Sequence, residues 1–186
     1  PTTDFHEFAL VEVGAISSTA KARAPAIRRA QAPIVAFTED HCFPEPSWAE
    51  RIIAAHDGPW AVVGPVVGNA NPDSLLSWAN LAIEYGPWLG ADEPAEVDHL
   101  PGHNSAYKRD VLLEYGDQLA DMLEAESVLH WDLRAKGHRL LLDPSIKTNH
   151  LNFSRGPETL RLRFLVGRMF ASSRAHSWPL WRRALY

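Results

Sequence analysis

Short apolar runs alternate with amphipathic stretches along the first 150 residues of the chain. Alternating or continuous short apolar runs are typical of strands, whereas apolar spacings of three and four residues are typical of helices. Strands are predicted at 8–13, 34–38, 60–67, 97–100 and 139–142. Helices are predicted at 17–30, 47–55, 75–85, 108–115 and 124–136. Because strands and helices alternate, the pattern favours an α/β layered domain.

Particular residues indicate where these elements begin and end. Pro25 is expected in the first turn of its helix, where a proline loses no intrahelical hydrogen bond. Ser47 starts a capping-box pattern at the beginning of the next helix. Gly137 occupies the position of a residue that ends a helix. Asp143 and Pro144 are expected to close the last strand.

Composition excludes several classes of protein. Of the 186 residues, 46% are apolar and 22% are charged, which is close to the average globular mixture and unlike disordered, collagen-like or coiled-coil chains. No run of apolar residues is long enough for a membrane span. The single cysteine, Cys42, excludes an internal disulfide framework and fits a reducing compartment. A net charge of −5 argues against a dedicated nucleic-acid binder.

Charge is distributed unevenly along the chain. Residues 1–152 hold 11 lysines and arginines against 22 acids, whereas residues 153–186 hold seven arginines against one acid. An acidic body followed by a basic, aromatic tail suggests two functions, so we predict a domain at 1–154 and a helical tail at 155–186. Because the chain opens at Pro1 without a methionine, we also expect a fragment of a longer protein.

Glu39, Asp40 and His41 directly follow the strand predicted at 34–38. Ligand sites in open α/β sheets lie beyond the carboxyl ends of strands. Two carboxylates and an imidazole there could hold a divalent cation such as Mg²⁺ or Mn²⁺. The alternative is a solvated acidic turn. A catalytic pair of Cys42 and His41 is disfavoured, because adjacent side chains rarely point at each other.

Two further segments combine small, amide and titratable residues. The sequence Pro-Gly-His-Asn-Ser-Ala at 101–106 precedes a predicted helix, whose first N–H groups could approach a ligand, although a plain tight turn would use similar residues. Glu126 lies in the first turn of a predicted helix, where an acid also interacts favourably with the helix dipole. His130 and Arg134 extend the same helix face, so Glu126 could act as a general base if this polar stripe faces a cleft.

In order and spacing, these segments resemble the family 2 glycosyltransferases, which have the GT-A fold. The resemblance extends from about residue 8 to residue 154. Ala-Arg-Ala-Pro-Ala at 22–26 is similar to the family's A-R-N-x-G segment, with alanine in place of asparagine and glycine. Glu-Asp-His at 39–41 stands where the family has its D-x-D motif. The segment at 102–109 matches the pattern G-x-N-x-A-x-[KR]-R.

The resemblance continues towards the end of the domain. Glu126 falls on the second acid of the family's E-D motif, eleven residues before Gly137, and Ala125 replaces the first acid. His150 matches a late histidine that often completes the metal site. The family's first strand and the helix after it have no counterpart before Phe8. The chain therefore resembles the C-terminal two-thirds of a catalytic domain.

The resemblance implies a fold, a reaction and a set of roles. The fold is a GT-A-like α/β/α sandwich with a mainly parallel mixed sheet that lacks its first βα unit. The reaction is transfer of a sugar from a nucleotide-sugar donor to an acceptor hydroxyl, with inversion at the anomeric carbon and assistance from Mg²⁺ or Mn²⁺. The implied metal ligands are Asp40, His41 and His150. The implied nucleotide-binding residues are Arg23, Glu39 and Asp40. Gly102, His103 and Asn104 would shape the sugar and acceptor pocket, and Glu126 would be the base.

Two other functions are considered beside this one. The first is a non-catalytic domain that keeps the fold and binds a partner or a membrane, which the substitutions in three motifs favour. The second is hydrolysis at a His/Asp metal site, which is disfavoured because no H-E-x-x-H spacing occurs.

The tail at 157–186 has the pattern of an amphipathic helix. Its apolar arc on a helical wheel consists of Leu162, Leu165, Val166, Met169 and Phe170. The arc is bordered by Arg161, Arg163, Arg168 and Arg174. Arginines in such positions can hold their charges at lipid headgroups. Leu160 and Phe164 fall outside the arc.

The aromatic residues at the end of the tail also favour a membrane as the partner. The rings of Trp178, Trp181 and Tyr186 suit the depth of a membrane interface. We therefore expect a cytoplasmic protein attached peripherally to an anionic cytoplasmic membrane face, where a lipid-linked acceptor would be within reach. The alternative is a helix that packs on the domain's own surface.

Overall fold

A computed structural model describes residues 7–15, 18–176 and 178–185. The helices are α1 (Thr19–Arg29), α2 (Trp48–His56), α3 (Leu75–Tyr85), α4 (Arg109–Leu113), α5 (Leu119–Leu123), α6 (Glu126–Ala135), α7 (Gly156–Ala175) and α8 (Leu180–Leu185). The strands are β1 (Ile34–Ala36), β2 (Cys42–Pro44), β3 (Trp60–Asn69), β4 (Ala95–Glu96), β5 (Ala106–Lys108) and β6 (Arg139–His150). The expected helix start at Ser17 and the tail residue Tyr186 lie outside the described residues.

The six described strands form one mixed sheet in the order β1-β5-β3-β6-β2, and β4 also pairs with β6. The long strands β3 and β6 run parallel, and the other described pairings are antiparallel. The predicted α/β class and the mixed sheet are confirmed, although only this one described pairing is parallel.

The sheet separates two apolar layers, because neighbouring residues of a strand point to opposite faces. Val62 and Leu140 belong to a large core cluster that also includes residues of α1, α3, α5 and α6. The adjacent Val63 and Leu141 belong to a smaller cluster that includes Ile52 of α2. The domain is therefore an α/β/α sandwich with α2 on one face.

The helix boundaries follow from local capping, with two departures from expectation. The bounds of α3 agree with the prediction, and its first turn is capped by the hydroxyl of Ser74, which accepts from the N–H of Ser77 at 3.4 Å. Pro25 lies inside α1 rather than in its first turn, because Ser18 caps the helix earlier. Ser47 precedes α2 without capping it, since its Oγ accepts a hydrogen bond from Arg51 instead.

Three strand predictions differ from the structure. Residues 8–13 form no strand, and Phe8 and Leu10 are 71% and 75% exposed. The strand predicted at 97–100 is replaced by the shorter β4 just before it. Strand β6 does not end at Asp143 and Pro144 but continues to His150, because the irregularity there shifts its register with β3 without breaking the pairing.

Helix α7 is joined to the domain mainly through its first half. Arg163 donates to the carboxylate of Glu84 at 2.8 Å and to Asn80 Oδ1 at 3.1 Å, both on α3. Thr159 is buried and bonds to Asn80 as well. Further along, Phe170 packs edge-on against Trp131 of α6. Among the described residues, no helix has both the length and the apolar character needed to cross a membrane.

Candidate active site

Glu39, His41 and His150 form a group that could hold a metal ion. Glu39 follows β1, His41 precedes β2, and the pairing of β2 with β6 brings His150 beside them. Glu39 Oε2 lies 3.6 Å from His150 Nε2, and one ligand atom of each residue lies within 4.8 Å of the others. One carboxylate and two imidazoles are a donor set that fits a divalent cation.

Asp40 lies outside this group, although the sequence had suggested it as a ligand. Its side chain is fully exposed, and its carboxylate accepts a hydrogen bond from His41 Nδ1 at 2.8 Å. This hydrogen bond lowers the pKa of Asp40. Glu39, which the resemblance placed on the nucleotide, belongs to this group instead, because the loop after β1 turns its side chain inward.

His150 is almost completely buried and is held by a second residue of the same segment. Its Nδ1 hydrogen-bonds to Asn152 Oδ1 at 2.9 Å. Burial lowers the pKa of His150, so the ring is neutral at pH 7 and can offer a lone pair. Sequence analysis missed Asn152, although its spacing of two residues from His150 is the spacing of side chains that share one face of an extended chain.

The 3₁₀ turn Gly102–Asn104 contacts the candidate metal-binding group directly. Asn104 Nδ2 donates to Glu39 Oε2 at 3.3 Å and to the hydroxyl of Tyr85 at 3.1 Å. His103 Nε2 hydrogen-bonds to the same hydroxyl at 2.8 Å and lies 3.6 Å from Glu39 Oε2. The turn thus holds the Glu39 carboxylate in place.

Two side chains at the end of α3 complete this polar cluster. The ring of Tyr85 is buried and meets that of His150 edge-on at 5.2 Å. The Glu84 carboxylate lies 3.8 Å from His103 Nε2 and also binds Arg163 of α7. Neither residue carries a sequence signal for the site, since a helix ending Glu-Tyr is ordinary and only the fold brings it here.

Glu126 lies on the other side of the same turn. A Cβ atom added to Gly102 would overlap the Cβ and Cγ atoms of Glu126, so this position requires glycine. The Glu126 carboxylate accepts a hydrogen bond from Arg23 at 2.9 Å, and both side chains are about one-fifth exposed. The Arg23 guanidinium lies over the ring of Phe37 at 4.9 Å. This hydrogen bond from Arg23 holds the Glu126 carboxylate in one orientation.

The polar stripe predicted along α6 does not face a cleft as a whole. His130 is completely buried, where its Nδ1 accepts from the N–H of Leu100 at 3.2 Å and its Nε2 bonds to the hydroxyl of Tyr107 at 2.8 Å. Burial lowers the pKa of His130 to about 3, so the ring stays neutral. Arg134 pairs with Glu96 and Asp98. Of the stripe, only Glu126 borders the site.

The environment of Cys42 disfavours a nucleophilic role. Burial, followed by the charge of Glu39, raises the pKa of its thiol to about 11. The thiol therefore stays protonated at neutral pH, and the thiolate is the reactive form. Its Sγ lies 3.8 Å from Glu39 Oε2 as a weak donor.

Comparison with known families decides the classification. The profile of glycosyl transferase family 2 matches residues 17–116, which is more than half of the chain. The chain belongs to glycosyl transferase family 2. No curated protein matches it. Membership of the glycosyl transferases supports glycosyl transfer as the general activity of the domain.

The family match covers one part of the site and not the other. It includes Arg23 on α1, the loop with Glu39 and His41, and the turn Gly102–Asn104. Glu126 and His150 lie beyond the matched residues. They are included in the candidate site because the turn contacts Glu126 and the strand pairing brings in His150.

Proposed function

We propose that the chain transfers a sugar from a nucleotide-sugar donor to an acceptor hydroxyl, with inversion at the anomeric carbon. The observation that carries this proposal is the position of the turn Gly102–Asn104 between two chemical groups. One is the Glu126 carboxylate, and the other is the group formed by Glu39, His41 and His150. An inverting transfer needs a base on one side of the sugar and charge stabilisation for the leaving diphosphate on the other.

The residues on each side have distinct roles in this mechanism. Glu126 accepts the proton of the acceptor hydroxyl as its oxygen attacks the anomeric carbon and the bond to the diphosphate breaks. Arg23 holds the Glu126 carboxylate in one orientation. Glu39, His41 and His150 would hold a divalent cation, which supplies positive charge against the departing diphosphate.

The turn Gly102–Asn104 between these groups carries a hydrogen-bond acceptor for a sugar hydroxyl. Asn104 is buried, and within the described part of the chain its Oδ1 has no hydrogen-bond partner. Burying a polar atom without a hydrogen-bond partner destabilises the protein, and a bound hydroxyl would supply the missing hydrogen bond. We therefore assign Asn104 Oδ1, together with His103, to the recognition of the donor sugar or the acceptor.

Calorimetric titration of the full-length protein with UDP-sugars and GDP-sugars, with and without Mn²⁺, tests this function. We expect one nucleotide class to bind and the cation to strengthen that binding. Glu39→Gln should weaken cation-dependent binding, whereas Glu45→Gln is the matched control, since Glu45 is exposed in the same segment. Absence of binding by every donor would favour the alternative of a non-catalytic domain that binds a partner.

We also propose that residues 157–186 attach the protein to an anionic, cytoplasmic membrane face where a lipid-linked acceptor is available. Three apolar side chains of the tail support this proposal, since Leu160, Phe164 and Trp181 are 75%, 66% and 67% exposed. Leu160 and Phe164 lie outside the arc predicted from the helical wheel. Leu165, Val166 and Met169 of the arc are 46%, 40% and 41% exposed as well, so exposed apolar side chains lie on the predicted arc and beside it.

A further inference from the structure

The carboxylate of Glu84 contacts both the tail helix α7 and the candidate site. Its Oε2 accepts a hydrogen bond from Nη2 of Arg163 at 2.8 Å. Its other oxygen, Oε1, lies 3.8 Å from Nε2 of His103. One carboxylate therefore meets the tail through one oxygen and the turn Gly102–Asn104 through the other.

His103 lies on a three-residue 3₁₀ turn, so the orientation of its ring depends on contacts with other elements. Its Nε2 hydrogen-bonds to the hydroxyl of Tyr85 at 2.8 Å and lies 3.6 Å from Oε2 of Glu39. Glu84 is the third neighbour of the same nitrogen. All three contacts are made by Nε2, so they hold the ring without occupying Nδ1.

Arg163 is itself held in place on α3. Its Nη2 also donates to Oδ1 of Asn80 at 3.1 Å, and Asn80 is 1% exposed. Nδ2 of Asn80 in turn donates to the carbonyl of Phe153 and to Oγ1 of Thr159. Because Asn80 is fixed by these contacts, Arg163 has a defined position from which to orient Glu84.

The ion pair of Arg163 and Glu84 is a weak means of attaching α7 to the domain. The two side chains are 21% and 24% exposed, and ion pairs that solvent reaches stabilise a protein only slightly. Thr159 and Phe170 attach the same helix without involving Glu84. The contact with His103 gives the pair a second role, because a binding site requires its side chains to be held in one orientation by their neighbours.

We propose that Glu84 is a positioning residue for His103 and that Arg163 positions Glu84, so that the tail forms part of the substrate-binding site. The inference rests on the proposed function for the role of His103 in binding a sugar or acceptor hydroxyl. It goes beyond that function by giving a role at the site to Arg163, which lies outside the residues that the family profile matches.

Nuclear magnetic resonance of the full-length protein, labelled with ¹⁵N in its histidine rings, tests these contacts without measuring activity. His103→Gln identifies the signals of this ring by removing them. We expect Glu84→Gln and Arg163→Gln each to shift the ¹⁵N signals of His103. Thr159→Val, which removes a different contact of α7, should leave them in place. Unchanged signals in Arg163→Gln, or an equal shift in Thr159→Val, would overturn the proposal.

Steady-state kinetics test the consequence for substrate binding. Glu84→Gln should raise the KM of the substrate that His103 contacts by about 3-fold to 10-fold, the effect of one weakened hydrogen bond, and leave kcat within a factor of about two. Arg163→Lys, which keeps a cation beside the carboxylate, should restore most of the affinity lost in Arg163→Gln. Glu114→Gln is the matched control, since that carboxylate lies 3.9 Å from His138, a histidine outside the site.

The double variant Glu84→Gln with His103→Gln separates positioning from a general structural effect. If Glu84 acts through His103, adding Glu84→Gln to His103→Gln should change KM by less than about 2-fold. Full additivity of the two substitutions would show that Glu84 acts independently of His103, and the proposal would be wrong. Failure of the parent protein to bind any donor would instead contradict the proposed function, and the ring signals of His103 would still decide whether Arg163 and Glu84 orient it.

Discussion

The environment of Glu126 suits a base that removes a proton from an acceptor. Its carboxylate borders the turn Gly102–Asn104 and is only about one-fifth exposed. We expect Glu126→Gln to keep the fold and donor binding but to lower kcat by at least about 100-fold, the usual scale for a positioned base. Steady-state kinetics on the full-length protein, with donor affinity from calorimetry, measure both effects.

Glu124→Gln is the natural comparison for this variant. Glu124 lies two residues away, and its carboxylate accepts a hydrogen bond from Ser18 rather than from Arg23. It should retain kcat within a factor of a few. Near-parent activity of Glu126→Gln combined with loss of activity in Glu124→Gln would transfer the role of base to Glu124.

We expect Arg23 to support catalysis through Glu126, and this role differs from nucleotide binding in its kinetic effect. Arg23→Gln should lower kcat by about 10-fold or more while donor affinity stays close to the parent value, because the carboxylate loses the group that orients it. Arg28→Gln on the same helix is the control, since Arg28 donates to the carbonyl of Gly116 instead. A large loss of donor affinity in Arg23→Gln with unchanged kcat would show that Arg23 binds the nucleotide instead.

The sequence suggested most residues of the candidate site but not the contacts between them. Glu126 could be located because it stands eleven residues before Gly137, and His41 and His150 because each stands at a motif position. The choice between Glu39 and Asp40 depends on which side chain turns inward after β1, and spacing alone does not determine that direction. Tyr85 acquires its role only from tertiary contacts. Asn152 contacts His150 from two residues further along the chain, but only the fold places that pair beside Glu39.

Strands and helices were predictable where local patterning and tertiary packing agree. Helix α3 has an apolar face and a serine cap, so its bounds follow from sequence. Residues 8–13 alternate like a strand, yet a strand also needs a partner, and no described strand pairs with them. Proline in β6 misled the prediction, because a long parallel pairing with β3 tolerates one irregularity.

The contact between α6, β5 and the loop before the site predicts a pH dependence of stability. His130 links the N–H of Leu100 to the hydroxyl of Tyr107, and its pKa is lowered from 6.5 to about 3 by burial. Below about pH 6.5, His130 is protonated in the unfolded chain but stays neutral in the folded chain. The free energy of unfolding therefore decreases as the pH is lowered. This one histidine should remove up to about 1.4 kcal/mol per pH unit.

Urea denaturation between pH 7.5 and pH 4 measures this loss. His130→Asn should be less stable than the parent at pH 7.5, and its stability should fall less steeply as the pH drops. Some dependence will remain, because burial also lowers the pKa values of His56 and His150. His138→Asn, which removes a histidine outside this contact, is the control variant. If the stability of His130→Asn decreased as steeply with falling pH as that of the parent, the folded chain would not hold His130 as a buried neutral ring.

At the level of the molecule, the acidic body and the basic tail are joined by a specific contact. Arg163 of α7 pairs with Glu84, and Glu84 lies 3.8 Å from His103 beside the site. The remaining arginines of the tail extend the positive charge along α7 and α8. One face of the tail is therefore fixed to the domain, while Phe164 and Trp181 stay exposed.

Sedimentation with liposomes tests whether this exposed face binds membranes. Binding should require anionic lipid, because arginines are attracted to anionic headgroups, and it should weaken as salt screens that attraction. Deleting residues 157–186 should abolish binding. The double variant Phe164→Ser with Trp181→Ser should lower it by at least about 10-fold, since each side chain gains about 1.5 to 3 kcal/mol on burial.

The matched control is Ile83→Ser, which removes a side chain that is 63% exposed on α3, outside the tail. Arg163 is left unchanged in every variant, so that the attachment of α7 to the domain is preserved. Equal recovery of the parent protein in the supernatant with and without anionic vesicles would mean that α7 serves only as a packing helix. Another partner would then be expected to cover Phe164 and Trp181, because contact of these apolar rings with water is unfavourable.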